Sequence, residues 1–208
     1  MSTGNSQGPK VAGLILAAGE STRMGRPKQL LAIKGRPLIC RVVEMSLASL
    51  LDKTVVVLGH QAQRVKEALE GHGLTSKVII VENEHYKRGM GTSIRAGLTA
   101  VKDTIDHVMI ILADMAHIDS NLINILLTNY LDSGKDLGAV KIQGRRSHPV
   151  VFSKRYFQEL LGLDSDKGGR QIFAAHEQSA LMVDAGAAYR EIDLDTPEDY
   201  EEFRKNRP

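Results

Sequence analysis

Cysteine is almost absent from this chain, and its scarcity excludes two kinds of site. The 208 residues include one cysteine, Cys40, so the chain cannot form an internal disulfide or a zinc site that needs several thiolates. Cys40 falls inside an apolar pattern with helical spacing. This pattern predicts a buried structural thiol in a reducing compartment, and we expect a cytoplasmic protein.

Long apolar runs and an excess of one charge are missing as well. No stretch approaches the roughly 18 apolar residues that a membrane helix needs, and 27 Lys and Arg against 25 Asp and Glu leave a net charge of +2. We therefore expect neither a membrane span nor a general affinity for nucleic acid. The small, polar start MSTGNSQGP predicts a disordered tail over residues 1–9, followed by a single domain over residues 10–208.

Several familiar catalytic motifs are also absent. The chain has no Gly-x-x-x-x-Gly-Lys-Ser/Thr loop, no Gly-x-Gly-x-x-Gly fingerprint and no His-Glu-x-x-His pair. No Gly-x-Ser-x-Gly follows an apolar strand, as the elbow of the α/β hydrolases does, because the one occurrence, at residues 4–8, lies in the polar start of the chain. These absences argue against a P-loop, a dinucleotide fingerprint, a zinc protease and a hydrolase of that type.

Short apolar runs alternate with amphipathic stretches along the first two thirds of the chain. The runs are continuous, which is typical of strands buried on both faces of a parallel sheet. They cover residues 11–18, 54–59, 77–82 and 107–114, and helical patterns lie at residues 38–51, 65–69, 94–101 and 122–130. This alternation predicts a layered α/β domain. Asp119 or Ser120 is the expected N-cap of the fourth helix.

The rhythm changes after Asp136. The segments AVKI and PVVF indicate two strands joined by QGRRSH, and a helix is expected near residues 154–161. Two further short strands, ALMV and AYREI, precede a helix that begins at TPED. We interpret this part as a sheet edge of the same domain.

The stretch LILAAGESTRMGRPKQLL, from Leu14 to Leu31, is the most informative in the chain. An apolar strand opens at Ala-Ala-Gly into a loop that carries Arg23 and Lys28. Such a loop can hold a polyphosphate with backbone N–H groups and cationic side chains. The same generic pattern also fits a strand followed by an exposed basic turn.

Two carboxylates occupy places where a cation can bind. Asp114 ends the run VMIILAD, at the strand end where open α/β sheets bind ligands, and Asp195 lies just before the helix start TPED. A carboxylate in either place can hold Mg²⁺, and Asp193 is a further candidate. Each residue also fits the simpler role of stabilising the neighbouring turn.

Three other segments carry candidate binding groups. Ser93 opens a predicted helix after a glycine-containing loop, so it can contact a base or a phosphate, although helix capping is the simpler role. His148 is held extended by the proline that follows it. Lys167 and Arg170 lie in DKGGRQIF, where they can bind an anion or face solvent.

Four motifs in order, LAAG-x-x-x-R-M-G-x-x-K, LADM, GRRSHPVVF and DKGGRQIF, resemble nucleotidyltransferases of the molybdenum-cofactor type. The resemblance implies a Rossmann-like three-layer α/β/α fold with a mostly parallel mixed sheet. Its N-terminal half would bind nucleotide and its C-terminal half the acceptor. The nucleotide-binding residues so implied are Leu16, Ala17, Ala18, Gly19, Arg23, Lys28 and Ser93. The resemblance also implies catalytic roles for Arg23, Lys28 and Asp114, a Mg²⁺ or Mn²⁺ ion on Asp114 and Asp195, and acceptor binding by His148, Lys167 and Arg170.

Within this family the motifs are most similar to those of the cytidylyltransferases. That similarity implies transfer of CMP from CTP to the terminal phosphate of Mo-molybdopterin, with release of pyrophosphate. Ala18 stands where guanylyltransferases more often have glycine, and its methyl group favours a pyrimidine. Guanylyl or sugar-phosphate transfer by the same fold, or a non-catalytic cofactor carrier, are the alternatives. The implied protein partner is an apo molybdenum hydroxylase or its chaperone.

Overall fold

The structure is a computed structural model that describes residues 8–164, 169–190, 192, 194 and 196–206, with the backbone alone at Arg23, Arg204 and Asn206. Its strands are β1 (Val11–Ala17), β2 (Ala32–Ile33), β3 (Arg36–Pro37), β4 (Lys53–Leu58), β5 (Ile79–Glu82), β6 (His107–Leu112), β7 (Leu137–Ile142), β8 (Arg145–Ser153) and β9 (Leu181–Asp184). Its α-helices are α1 (Leu38–Leu47), α2 (Ala62–Gly71), α3 (Met90–Thr99), α4 (Ser120–Ser133), α5 (Phe157–Leu161), α6 (Arg170–Ala175) and α7 (Pro197–Asn206).

Seven strands form one sheet in the order β5-β4-β1-β6-β8-β7-β9, and β2 pairs with β3 in a separate hairpin. Strand β8 runs antiparallel to both of its neighbours, whereas the other adjacent strands are parallel. This confirms the predicted mostly parallel mixed sheet. Because β1, β4, β5 and β6 run the same way, their carboxyl ends meet along one edge, where open α/β sheets bind ligands.

Strand β1 shows how the sheet divides the core into two layers. Ile15 and Ala17 pack into one apolar cluster, and Leu14 and Leu16 pack into the other, as the period of two along a strand requires. Helices α1, α2, α4 and α7 contribute buried residues to the first cluster. Helices α3, α5 and α6 contribute to the second. The sheet is therefore covered on both faces, and the predicted three-layer α/β/α fold is confirmed.

The hairpin between β7 and β8 is tighter than the sequence suggests. The expected connection QGRRSH is wrong, because only Gln143 and Gly144 form the turn and β8 begins at Arg145. The two turn residues have φ values of 50° and 80°. Two consecutive positive φ angles give a turn whose twist matches that of the strands, so the ladder continues up to the turn. Arg146 therefore lies in a strand, opposite Lys141.

The segment AYREI does not form the expected strand in its described residues, 188–190 and 192. Tyr189 instead donates its hydroxyl to the Asp119 carboxylate over 2.8 Å, which holds the segment against the start of α4. The same carboxylate accepts a hydrogen bond from the backbone N–H of Leu122 over 2.8 Å. Asp119 is thus confirmed as the N-cap of α4, and a side-chain contact has replaced strand pairing.

Among the described residues, no helix is both long and apolar enough to cross a bilayer. The tail expected over residues 1–9 falls mostly outside the described chain, which begins at residue 8. The tail and the domain bounds therefore stay predictions.

Candidate active site

The turn that ends β1 lies at the carboxyl edge of the sheet and is fixed by its two neighbouring strands. The backbone N–H of His60, after β4, donates to the Ala18 carbonyl over 3.1 Å. The N–H of Ala113, after β6, donates to the Leu16 carbonyl over 3.1 Å. Parallel pairing therefore continues to the end of the strand. The Ala17-Ala18-Gly19 backbone is held rigidly at the point where the loop begins.

Two polar side chains fasten the loop beyond Gly19. Ser21 has a left-handed backbone with φ 54°, and its hydroxyl oxygen accepts from the N–H of Lys28 over 3.1 Å. Gln29 is 4% exposed and donates its side-chain amide to the Ala17 carbonyl over 3.1 Å. The buried amide ties the far end of the loop back to β1. The sequence analysis missed both residues, although Gln29 directly follows the predicted phosphate lysine.

Lys28 and Asp114 face each other at this edge. Lys28 Nζ lies 4.0 Å from Asp114 Oδ2, and the two side chains are 12% and 44% exposed. The lysine stem is therefore packed while the carboxylate stays open to solvent. A cation and a hard oxygen donor are thus placed side by side, next to the backbone of the glycine turn.

The start of α3 forms the opposite side of the site. Gly89 is the N-cap of α3, which begins at Met90, so Ser93 lies inside the first turn and is not a cap. Asn83 follows β5 and is 5% exposed, and its side-chain amide donates to Thr92 Oγ1 over 2.8 Å and to Ser93 Oγ over 3.0 Å. Because the Ser93 oxygen accepts from Asn83, its proton can be donated towards a ligand. Asn83 was not predicted, although it follows a predicted strand at the ligand-binding edge.

Gly59 allows three segments to meet at the floor of the site. A Cβ atom at this position would lie 2.7 Å from the Ala18 Cβ and 2.8 Å from the Tyr86 Cβ. These distances are shorter than real Cβ contacts allow. The absence of a side chain at residue 59 therefore lets the Ala18 methyl group and Tyr86 approach each other across the end of β4.

These elements enclose a cavity of about 380 Å³. Its walls come from the β1 turn and its loop, the end of β6 and the start of α3. The lining residues are Leu16, Ala17, Ala18, Gly19, Glu20, Ser21, Lys28, Gln29, Tyr86, Lys87, Gly89, Met90, Ser93, Leu112, Ala113 and Asp114. The structure thus brings seven of the predicted site residues, Leu16, Ala17, Ala18, Gly19, Lys28, Ser93 and Asp114, around one opening. We call this the first cavity.

A second cavity, of about 430 Å³, adjoins the first. The two share Met90 and Leu112 on their walls. The second cavity is lined by Met90, Ile94, Ile110, Leu112, Arg146, Ser147, His148, Val150, Gly169, Arg170 and Phe173. His148 and Arg170, predicted from two separate motifs, therefore lie at the same cavity. Arg146 and Phe173 lie in the same two motifs but were not predicted as site residues, because no local pattern reports that these two side chains contact each other.

Several predicted residues fall outside what the structure describes. Asp193, Asp195 and Lys167 lie in the gaps of the described chain, and the side chain of Arg23 is not described. Within the described residues, no group of three or more His, Cys, Asp or Glu side chains could hold a metal ion. Asp114 is therefore the one predicted metal ligand whose position is given, and its open carboxylate suits a hard cation.

A family model described as MobA-like NTP transferase domain matches residues 13–180. The chain belongs to this family. The matched range begins in β1 and ends just before β9, so it includes both cavities. The protein is accordingly a nucleotidyltransferase, as the motifs predicted.

Two curated relatives extend over nearly the whole chain. Nicotine blue oxidoreductase of Paenarthrobacter nicotinovorans is 29% identical, and the match covers 94% of this chain and 97% of the relative. Purine catabolism protein PucB of Bacillus subtilis is 27% identical, and the match covers 95% of this chain and 97% of the relative. Each of these two relatives is therefore matched by this chain over nearly its whole length.

Solved structures have the same fold. A homologue of Mycobacterium tuberculosis Rv0371c from Mycobacterium sp. strain JC1 has a TM-score of 0.79 and 26% identity, covering 94% of this chain and 96% of its own. The CMP:2-keto-3-deoxy-manno-octonic acid synthetase, solved in complex with CTP, has a TM-score of 0.73 and 17% identity, covering 95% of this chain and 98% of its own. At that identity the second likeness concerns the fold alone.

Proposed function

We propose that this nucleotidyltransferase transfers CMP from CTP to the terminal phosphate of Mo-molybdopterin, giving molybdopterin cytosine dinucleotide and pyrophosphate. The observation that carries the proposal is the first cavity, where the glycine turn, Lys28, Ser93 and Asp114 converge. Backbone N–H groups, a packed lysine and an open carboxylate are the groups that a metal-bound triphosphate requires. The second cavity adjoins it and gives the acceptor a place beside the α-phosphate.

Lys28 and Arg23 are assigned to the β and γ phosphates. The Lys28 ammonium is held by a largely buried stem, so its charge is in place before the nucleotide arrives and can stabilise the departing pyrophosphate. Ser93 is assigned to the nucleoside side, where its hydroxyl can donate. The turn residues Leu16, Ala17, Ala18 and Gly19 supply the backbone that lines the nucleotide.

A divalent cation fits this donor set. Asp114 offers a hard oxygen ligand that is 44% exposed at the cavity, and Asp195 is assigned as its companion from the sequence motif. When bound there, Mg²⁺ or Mn²⁺ would supply positive charge that reduces the repulsion between two polyanionic substrates. The acceptor phosphate is already anionic at neutral pH, so the reaction needs no general base. The work of the chain is to align the two substrates and to stabilise charge.

Ala18 supports the choice of a pyrimidine nucleotide. Ala18 is 4% exposed and lies at the cavity wall, beside Gly59. A methyl group at this point reduces the room for a larger base.

The family and its relatives support a molybdenum-related acceptor. The chain has a MobA-like NTP transferase domain, and His148 and Arg170 line the adjoining cavity. These two residues are assigned to the acceptor, and Lys167 is assigned to it from the sequence motif alone. An apo molybdenum hydroxylase or its chaperone is the proposed recipient of the product. Guanylyl or sugar-phosphate transfer is the alternative within the same reaction class.

The deciding experiment measures thermal unfolding with CTP, GTP, ATP and UTP, each with and without Mg²⁺. A ligand that binds only the folded state stabilises it by mass action and so raises the unfolding temperature. At a ligand concentration a hundredfold above the dissociation constant, the free energy of unfolding rises by about 2.7 kcal/mol. We expect a metal-dependent shift with CTP, followed by pyrophosphate release when Mo-molybdopterin is added. A shift with GTP alone would refute the base assignment. Binding of CTP without turnover on that acceptor would favour the carrier.

A further inference from the structure

The second cavity contains an arginine whose position is fixed by two contacts. The Arg146 guanidinium lies over the Phe173 ring, with its central carbon 4.6 Å from the ring centroid. Phe173 is 1% exposed and packs edge-on against Phe152 with centroids 6.2 Å apart. A guanidinium on a buried aromatic face keeps its N–H groups at its edge, where they can meet an anion.

The other contact of Arg146 is weak and exchangeable. Arg146 Nη1 lies 3.5 Å from Glu177 Oε1, and the two side chains are 25% and 55% exposed. Such an exposed pair contributes little net free energy, because solvent screens it and two side chains lose freedom. The Glu177 carboxylate therefore pairs with the Arg146 guanidinium only weakly.

The rest of the cavity favours a ligand with an apolar face. Ile94, Ile110, Val150 and Phe173 line it together with Arg146. Along β8, residues 146, 148 and 150 all face this cavity, so the strand presents cationic and apolar groups to the same space. A ring that carries a phosphate would cover the apolar wall and place its anion at the guanidinium.

We propose that Arg146 is a further anion-binding residue of the second cavity, besides Arg170, and that Glu177 is an internal competitor which a ring-bearing phosphate monoester displaces. A phosphate dianion offers more charge than a carboxylate and fits the fork of the guanidinium through two hydrogen bonds. A phosphate ligand therefore replaces the Glu177 carboxylate at Arg146, and without a ligand Arg146 stays paired with Glu177. The inference rests on the proposed function only in taking the acceptor as a phosphate ester.

Phenyl phosphate is a suitable probe, because it joins one ring to one phosphate. Its dissociation constant is measured by titration calorimetry with the first cavity filled by Mg²⁺ and a CTP analogue whose α–β bridge is methylene. Arg146→Gln is expected to weaken binding about tenfold or more, which is the effect of losing a charge-assisted hydrogen bond. Glu177→Gln is expected to tighten binding about two- to fivefold, because the competitor is removed.

Matched controls separate this effect from a general change of charge. Arg155→Gln breaks an exposed pair with Asp136 at the other end of β8, and Asp103→Asn breaks an exposed pair with Lys102. Both are expected to leave binding unchanged. Arg146→Lys keeps the charge but loses the fork, so it should bind with intermediate affinity and keep the fold if Arg146→Gln loses it.

The double variant Arg146→Gln/Glu177→Gln tests the link between the two residues. Without Arg146 there is nothing for Glu177 to compete for, so the double variant should bind like Arg146→Gln alone. Wild-type affinity in Arg146→Gln, or an unchanged affinity in Glu177→Gln, would overturn the proposal. Inorganic phosphate that binds as tightly as phenyl phosphate would overturn the role of the apolar wall.

The outcome is separable from the proposed function. If no nucleotide binds the wild-type protein, the titration is run without the analogue, and binding of phenyl phosphate with the expected variant pattern still supports the site. If nucleotide binds normally but phenyl phosphate does not, the proposed function stands and this inference fails.

Discussion

The two adjoining cavities are built in different ways. The first is formed largely by backbone at the ends of parallel strands, and its polar side chains are tied down by hydrogen bonds such as that from Gln29 to Ala17. The second is lined by residues of the antiparallel strand β8, of its neighbour β6, and of α3 and α6. Nucleoside triphosphates share the same triphosphate group, which hydrogen-bond donors held in fixed positions can bind. Acceptors differ from one another, so an acceptor site selects its ligand by its shape and by the side chains that line it.

The largest expected effect comes from a substitution that lowers turnover at the first cavity and leaves ligand binding at the second cavity unchanged. Lys28→Ala should lower turnover at least about tenfold, which corresponds to about 1.4 kcal/mol of transition-state stabilisation. Binding of phenyl phosphate to the second cavity should not change. The unfolding midpoint should fall only slightly, because the ion pair with Asp114 is long, at 4.0 Å, and the carboxylate is 44% exposed. The small fall reflects the loss of the packed lysine stem.

Lys77→Ala, at an exposed position after α2, is the matched control and should turn over normally. Asp114→Asn should also lose activity, since a neutral amide is a poor ligand for a divalent cation. Full activity in the Lys28 variant would remove its assignment to the leaving pyrophosphate.

A smaller effect tests how closely the floor of the first cavity is packed. Gly59→Ala should weaken CTP binding several-fold, because the new methyl group would lie within 2.8 Å of Ala18 and Tyr86 and overpacking typically costs about 1–3 kcal/mol. Adding Ala18→Gly to this variant should recover part of the affinity, because it removes one of the two clashes. The measurement is nucleotide titration by calorimetry.

Gly71→Ala is the control for this variant, because nothing lies within 4 Å of a Cβ atom there. The second cavity should keep its affinity for phenyl phosphate in both variants. Unchanged CTP affinity in Gly59→Ala would show that the floor can relax.

The smallest effect lies at the opposite end of the sheet, away from both cavities. Burial lowers the pKa of His107, and the nearby Asp106 and Asp136 carboxylates oppose this only in part. His107 therefore binds a proton more readily in the unfolded chain than in the folded protein. The folded state keeps its full stability above about pH 6.5, where His107 is neutral in both states. It loses stability as the pH falls from that value towards the lower pKa of the folded state. Urea unfolding at pH 7.5 and 5.5 measures this loss.

His107→Gln should make the stability less dependent on pH in this range, with ligand binding to both cavities unaffected. An equally steep loss of stability in the variant would assign the dependence to other groups.

The sequence was most informative where function depends on contiguous residues. The Ala17-Ala18-Gly19 turn and Lys28 belong to one short string, and Asp114 ends a recognisable strand, so their meeting at one edge follows from the rule for parallel strands. Gly59, Asn83 and Arg146 were missed for the opposite reason. Each acts through a contact with another segment of the chain, as Asn83 does with Thr92 and Ser93 at the start of α3, and no local pattern reports such a contact.

The sequence by itself determined the α/β layering and the direction of most strands, because periodicity is a local property. It limited the N-cap of α4 to Asp119 or Ser120, and the structure shows that Asp119 is the cap. Only the tertiary structure decided that β8 begins at Arg145 and that Arg146 lies over Phe173. It also decided that the two cavities share Met90 and Leu112. These features depend on how distant segments pack, and packing is set by the shape of the whole core rather than by any one stretch of chain.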